Sequence, residues 1–526
     1  MAEIRFQTGD TFGAPAVYVR EIAVAPQVRG ILRNTVGVVG QCVRGPVGRA
    51  VLCSSYARFL AVFGGRDYGA GGTLIGHVWR FFQGNRLGRV LVVRAAAAAA
   101  ATASFTWESA AGGAGVTTIR VDASSPGLWG NDVQFKVSAA SDGVAGHFNL
   151  TIRYLGKDYV LQNCDTSGTN DNLALKVVEA FGDTDAALVT LTKLSSTRPV
   201  NTAAGVDGAD SAAFVNLGET VAAFTSVAGT EGTIADADYT GTGKGMEIIN
   251  TAKGVGICLV AGRSNTAIKT KAYALAQVAA ERGWLVTADS ETTSGTAALA
   301  EAATMRHSRL WYIFGAWYAT DPDTREEVVR EPHELMAGLL SQTEPKVHPS
   351  VSDNAPHFAA VRRLYAEITP DQADAFDSKV DGGVTYLASD VDDFGNTVYG
   401  FGNAITTSLT TSDRQINGRR SRDYVIRALA NRCKGDLYRG NTAARREARR
   451  GACSAWLTER ARAEEYVASN EDGVPQFTYV NDSTVNEQAA VDGGEQREFV
   501  RIKMIPDALY LQLRVEAATD VKFIEV

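Results

Sequence analysis

Apolar positions in the first hundred residues follow two periods. Val36 to Gln41 (VGVVGQ) and Val90 to Arg94 (VLVVR) are short, nearly continuous apolar runs, the pattern of strands covered on both faces. Ala50 to Cys53 is a third such run. Residues 14–22 (APAVYVREI) form an extended segment opened by Pro15. Between the runs the period lengthens. Ser54 or Ser55 can cap a helix over Tyr56 to Phe63 that Gly64 and Gly65 end, and Leu74, Val78, Phe81 and Phe82 share one side of a helix over Thr73 to Gln83. This β-α-α-β alternation predicts an α/β layer.

The texture changes at the seven alanines Ala95 to Ala101. From there to about residue 240 the chain is rich in Gly, Ser and Thr. It carries alternating runs such as Val133 to Val137 and Phe148 to Tyr154, which predict an inserted β-rich domain. Strand and helix patterns then alternate again: strand 255–261, helix Thr266 to Arg282, strand Trp284 to Thr287, helix Gly295 to Met305, strand Leu310 to Phe314. That spacing suits a parallel sheet with crossover helices. A strand over Val398 to Ser408 is expected to lead into helices from Ser421 to about Leu437 and from Thr442 to Ala468. The chain closes on strand patterns, with Leu509, Leu511, Leu513 and Val515 alternating with polar neighbours.

The reading is an α/β core domain with an inserted β-rich domain and an α+β C-terminal domain, and extended strand-forming arms at both ends. The divisions fall at 1–25 (N-terminal arm), 26–100 (core, first part), 101–240 (insert), 241–400 (α/β domain), 401–505 (C-terminal core domain) and 506–526 (C-terminal strand and arm).

Composition narrows the function. With 45% apolar and 21% charged residues, the 526-residue chain is neither disordered nor fibrous, and its net charge of −7 argues against a nucleic-acid coat. The charge is uneven, however. Residues 414–450 hold twelve Arg or Lys against three acids. The start has an acid at Glu3 and no apolar h-region, and no run of 18 apolar residues occurs, so neither a secretory signal nor a membrane span is expected. None of the six cysteines stands in a C-x-x-C pair. They read as free thiols, or as partners in disulfides between subunits.

Catalytic patterns fail on spacing. His333-Glu334 opens like H-E-x-x-H, but residue 337 is Ala. The six histidines are scattered in sequence and read as surface or satisfied groups. The run 241–245 (GTGKG) lacks the framing residues of a P-loop, and residues 262–266 lack the second glycine of a nucleophile elbow. Asp390, Asp392 and Asp393 miss the EF-hand spacing. Trp311, Tyr312, Phe314, Trp317 and Tyr318 read as core packing. No catalytic residue, cofactor or metal site is expected.

Several short runs, in order over most of the chain, carry a resemblance: residues 15–22 (PAVYVREI), 36–48 (VGVVGQCVRGPVG), 54–65, 78–85 (VWRFFQGN) and 90–94. They continue at 125–131 (SPGLWGN), 204–208 (AGVDG), 414–420 (RQINGRR) and 504–513 (MIPDALYLQL). Together they resemble the contractile tail sheath proteins of phages and related injection machines. The resemblance implies a structural, force-generating subunit that stacks as hexameric rings around an inner tail tube and meets baseplate and tail-terminator proteins. Neither nucleic acid nor membrane would be touched directly, and the location would be a virion tail assembled in a bacterial cytoplasm.

It also implies that the arms add strands to neighbouring subunits: Pro15, Val17, Tyr18, Val19, Arg20 and Ile22 at one end, Val521, Phe523 and Val526 at the other. From the residues alone, these strands could equally pair within their own subunit. Arg445 and Arg449, and Arg446 and Arg450, stand four apart and would share one helical side. An inner-tube contact, a solvated face paired with Glu459 and Glu464, and a nucleic-acid contact are the three readings of that side. Two rivals to the sheath reading remain open: an α/β nucleotide-binding enzyme with an inserted domain, and a β-rich surface adhesin.

Overall fold

A computed structural model describes residues 35–65, 73–84, 88–109, 115–168, 171–202, 214–219, 224–251, 256–279, 285–290, 292–320, 326–342, 344, 346–350, 358, 361–391, 395–434, 442–484, 486 and 498–504, with the two-residue strands 4–5 and 18–19.

The centre is an eight-stranded sheet in the order Thr397–Phe401, Thr385–Val391, Leu310–Phe314, Leu285–Asp289, Ile257–Val260, Thr35–Gly40, Arg89–Arg94, Val51–Cys53. The six inner strands run parallel, and the two edges are antiparallel. Continuous apolar runs were the signal for this. Every residue of Ile257–Val260, Leu285–Asp289 and Leu310–Phe314 is buried, because helices cover both faces.

On one face, Phe59, Phe63, Val78 and Phe81 from helices Tyr56–Phe63 and Thr73–Gly84 pack with Leu335 and Leu339 from helix Pro332–Gln342. On the other, Met246, Ile268, Leu275, Ala298 and Phe376 come from four further helices. Each of these side chains other than Ala298 contributes about 1.5–3 kcal/mol when fully removed from water. Trp311, Tyr312, Phe314 and Trp317 are core residues, as their pattern suggested, while Tyr318 is only half-buried.

The segment after the alanine run folds as two four-stranded antiparallel sheets. One is Lys157–Cys164, Phe148–Tyr154, Gln134–Ala139, Val215–Asn216. The other is Val189–Lys193, Thr117–Ala123, Ser104–Glu108, Thr225–Val227. Their inward residues form one shared core around Phe105, Trp107, Phe135 and Ile152, so the pair is a sandwich. Its chain enters and leaves together, where Ala101 and Thr230 pair in an antiparallel bridge.

The last described part joins helices Ile416–Lys434 and Ala443–Arg462 to a two-stranded sheet, Phe477–Val480 with Phe499–Ile502, around a separate small core. Ser55 caps its helix as the sequence suggests, and Thr442 caps the last one, each accepting from the amide three residues on.

The larger departures from the expected boundaries are three. The helix expected from Ser421 begins at Ile416, because Arg419 and Arg420 are held inside the protein rather than left to solvent. The strand expected over Val398 to Ser408 ends at Phe401; beyond it Ile405 donates its amide to the Thr385 hydroxyl at 3.1 Å instead of continuing the ladder. The last helix stops at Arg462, where Glu464 takes φ +51°. The expected strands at Leu509–Val515 and 521–526 lie outside the described residues.

Candidate functional site

The N-terminal strand expectation is described only in part: Tyr18–Val19 pairs in parallel with Ile4–Arg5. Pro15, Val17, Arg20, Ile22, Val521, Phe523 and Val526 lie outside what is described or have undescribed surroundings.

The basic stretch 414–450 is not one exposed surface. Arg414, Arg419, Arg420 and Arg449 are buried. Arg449 donates to Glu498 at 3.1 Å, so it turns inward, while Arg445 is exposed and Arg446 and Arg450 are half-buried. The four arginines therefore do not act as one face; a helical turn of 3.6 residues is enough to carry Arg449 onto the buried side. Arg450 pairs with Glu447 at 2.8 Å.

Further in, Asp423 lies between two guanidinium groups. Arg309 reaches it from the start of the Leu310–Phe314 strand, and Arg419 from one helical turn earlier at 2.7 Å. Burial disfavours the charged carboxylate, but the two arginines outweigh it and hold its pKa well below the usual range. This joint locks the Ile416–Lys434 helix to the central sheet.

A second joint holds the sandwich. Arg94, at the end of the Arg89–Arg94 strand, donates to the carbonyls of Pro126, Gly45 and Val43 at 2.9, 3.2 and 3.2 Å. The Ser125 hydroxyl accepts from the Gly45 amide at 3.0 Å. The run 125–131, singled out by resemblance, is thus the neck between core and insert. Asn131 exchanges two hydrogen bonds with the Gly229 backbone, and a Cβ on Gly130 would stand 2.9 Å from those of Ala103 and Ala123. The Arg44 guanidinium lies over the Trp129 and Tyr154 rings from the other side.

The histidines are not all scattered surface groups. His77 and His333, 256 positions apart in the chain, are both buried, and with Glu331 they bring three donor atoms within 4.8 Å of one another. The parallel topology does this. His77 comes from the Thr73–Gly84 helix, and Glu331 and His333 flank the start of the Pro332–Gln342 helix packed beside it. The start of the Pro332–Gln342 helix meets the carboxyl ends of the Ile257–Val260 and Leu285–Asp289 strands, where His333 lies beside Val260 and Asp289. Helix contact is close: a Cβ on Gly84 would stand 2.6 Å from the Gly338 carbonyl oxygen.

His77 Nε2 is 3.7 Å from Glu331 Oε2, which accepts from the Gly262 amide at 2.9 Å. His333 Nδ1 is 3.1 Å from the Val260 carbonyl oxygen and 3.0 Å from Asp289 Oδ2. Burial, with His77 adding to it, pushes the His333 imidazole down to about 3, and burial beside Glu331 raises Asp289 well above the carboxylate range. Only the spacing of Glu331 and His333 around Pro332 could have hinted at this cluster in the sequence.

All six cysteines are free thiols. Cys53, Cys164, Cys258 and Cys453 are buried and Cys42 and Cys433 half-buried; the Cys433 thiol meets that of Cys453 within the chain, and Cys42 Sγ donates to the Arg44 carbonyl at 3.1 Å. Among the described residues no helix is long and apolar enough to cross a membrane.

No protein-family model matches the chain, and no curated protein matches it in sequence. Solved structures do match. A sheath tail protein of Listeria innocua superposes with a TM-score of 0.57 at 14% identity, over 90% of this chain and 96% of that one. A sheath tail protein of Desulfitobacterium hafniense gives 0.52 at 14%, over 89% and 94%. The sheath of an extracellular contractile injection system in its contracted state gives 0.53 at 12%, over 97% and 99%. The chain therefore has the sheath tail protein fold.

Proposed function

We propose that this chain is the repeating subunit of a contractile sheath, stacking as hexameric rings around an inner tube and shortening to drive that tube through a target envelope. The observation that carries the reading is coverage: the likeness to sheath structures extends over 89–97% of the chain, taking in the central sheet, the sandwich and the C-terminal helices alike. The domain divisions expected from the sequence belong to the same reading, with the sandwich as the outward unit and the central sheet and C-terminal helices forming the body of the ring.

In this reading the segments around Pro15 to Ile22 and Asp520 to Val526 add strands to neighbouring subunits. Main-chain ladder bonds depend little on side chains and survive reorientation of the bodies they link. Arg445, Arg446 and Arg450 face an acidic inner tube, and Arg449 anchors the helix that presents them. Baseplate and terminator proteins close the two ends of the stack, in a tail assembled in a bacterial cytoplasm. The work of contraction is stored in a kinetically trapped extended lattice.

Electron microscopy of the purified full chain, alone and with a tube protein, tests the reading. Hollow cylinders wide enough to encircle a tube are the expected outcome. Only small discrete particles under both conditions would overturn it.

A further inference from the structure

We infer that His77, Glu331 and His333 form a binding site for a divalent transition-metal cation of the zinc class, at the carboxyl ends of the parallel strands. Two imidazoles and one carboxylate are a recognised zinc donor set that leaves a fourth position for water. Imidazole donors favour zinc and its neighbours over magnesium or calcium, which take oxygen. The donor atoms already lie within 4.8 Å of one another, so modest side-chain contraction completes the site.

Three independent features point to a cation. His333 presents Nδ1 to the Val260 carbonyl and to Asp289, which fixes the ring and leaves Nε2 as the ligand atom. A metal-bound histidine usually has its other nitrogen held in this way. That Nε2 is buried with no hydrogen-bond partner among the described residues, in a side chain only 1% exposed. An orphaned polar atom of this kind is costly unless something binds it. Finally, the Glu331 side chain is about a third exposed while both histidines are enclosed, so the site has an entry path on its carboxylate side.

The placement fits the topology. Chain order in the sheet reverses between the Thr35–Gly40 and Ile257–Val260 strands, and ligands of open α/β sheets gather outside the carboxyl ends of strands beside such a reversal. Here the cation would clamp the Thr73–Gly84 helix to the Pro332–Gln342 helix, which belong to halves of the sheet separated in sequence by the insert.

The test uses the full-length chain, stripped with EDTA and titrated with ZnCl2 by calorimetry and with CoCl2 by visible absorption. One cation per chain is expected, with the absorption of four-coordinate cobalt. His77→Gln and Glu331→Gln should each weaken binding at least 100-fold, Asp289→Asn about 10–100-fold as an orienting neighbour, and His147→Gln, in the sandwich, not at all. Should the cluster variants fail to fold, the wild-type chain decides: its thermal midpoint should rise with added zinc and fall back with EDTA. A folded wild-type chain that binds no zinc or cobalt, or binding that survives in the His77→Gln and Glu331→Gln variants or disappears in His147→Gln, would overturn the site and leave a cluster that shares protons only.

Discussion

Arg309 and Asp423 meet in a two-point ion pair, Nη1 to Oδ2 at 2.7 Å and Nη2 to Oδ1 at 2.8 Å, across 114 positions of chain. Both side chains are almost wholly enclosed. Removing one member of such a pair leaves the other charge buried and uncompensated, at about 3–5 kcal/mol. Asp423→Asn should therefore lower the stability of the isolated subunit by that order in urea titrations. Glu447→Gln, which breaks only the exposed pair with Arg450, should stay within about 0.5 kcal/mol of wild type.

The same pair sets a pH dependence. An unfolded aspartate titrates near 3.9, about where the unfolded chain takes up its proton. In the folded chain, Asp423 is held below that range, so its contribution is complete above about pH 4 and is lost as the pH falls through the folded value. The stability gap between wild type and Asp423→Asn should be constant near neutrality and shrink on acidification below about pH 4. A gap that stays level down to about pH 2 would show that Asp423 is not ionised where the ion pair requires it.

Gly84 lies where two helices nearly touch. Alanine there would press on the Gly338 carbonyl oxygen, and overpacking of this kind costs about 1–3 kcal/mol. Gly84→Ala should lower the melting temperature and, by spreading the helices that carry His77 and His333, weaken zinc binding as well. A variant with a normal midpoint and normal zinc affinity would show that the helix spacing adjusts freely.

Arg94 is held by backbone carbonyls on both sides of the neck. Lysine keeps the charge but loses the planar fork that reaches several acceptors at once. Arg94→Lys should leave the central sheet intact yet increase limited proteolysis near residues 101 and 230 several-fold. Equal cleavage of variant and wild type would mean that the sandwich is secured elsewhere.

Charge reversal separates the two roles assigned to the Ala443–Arg462 helix. Arg445→Glu with Arg450→Glu should weaken association with an acidic tube, with the difference fading as salt is added, and should leave the subunit's melting temperature unchanged. Arg449→Glu should instead destabilise the subunit, because it places a like charge beside Glu498. Tube association that is indifferent to Arg445 and Arg450 would remove them from the contact.

Much of the central sheet was legible because strands buried on both faces write themselves as unbroken apolar runs. Tyr56–Phe63 could be read to its ends because Ser55 and Gly64 mark them locally. The sandwich was legible as β-rich from alternation alone, but its two-sheet pairing was not, since Val215–Asn216 and Thr225–Val227 are too short to carry a pattern. Burial of charge was the least visible property. Arg419, Arg420 and Arg449 look in sequence like the exposed arginines around them; what sets Arg419 and Arg449 apart is packing that encloses them against Asp423, which Arg309 holds from 114 positions away, and against Glu498. The histidine cluster was hidden for a like reason: His77 stands 256 positions from His333 and meets it only through the order of strands in the sheet.

The bridge between Ala101 and Thr230 means that the sandwich hangs from the sheet by two adjacent threads. Such an attachment is a natural point of genetic exchange: one module can be lifted out and another grafted between the same two positions, with the chain ends already side by side. Arg94 sets the condition. Its acceptors at Pro126 belong to the departing module, so any replacement must bring carbonyls of its own to that spot, or come with an apolar residue at position 94. The neck thus works as a socket with a fixed pin, admitting varied exteriors on one unchanging chassis.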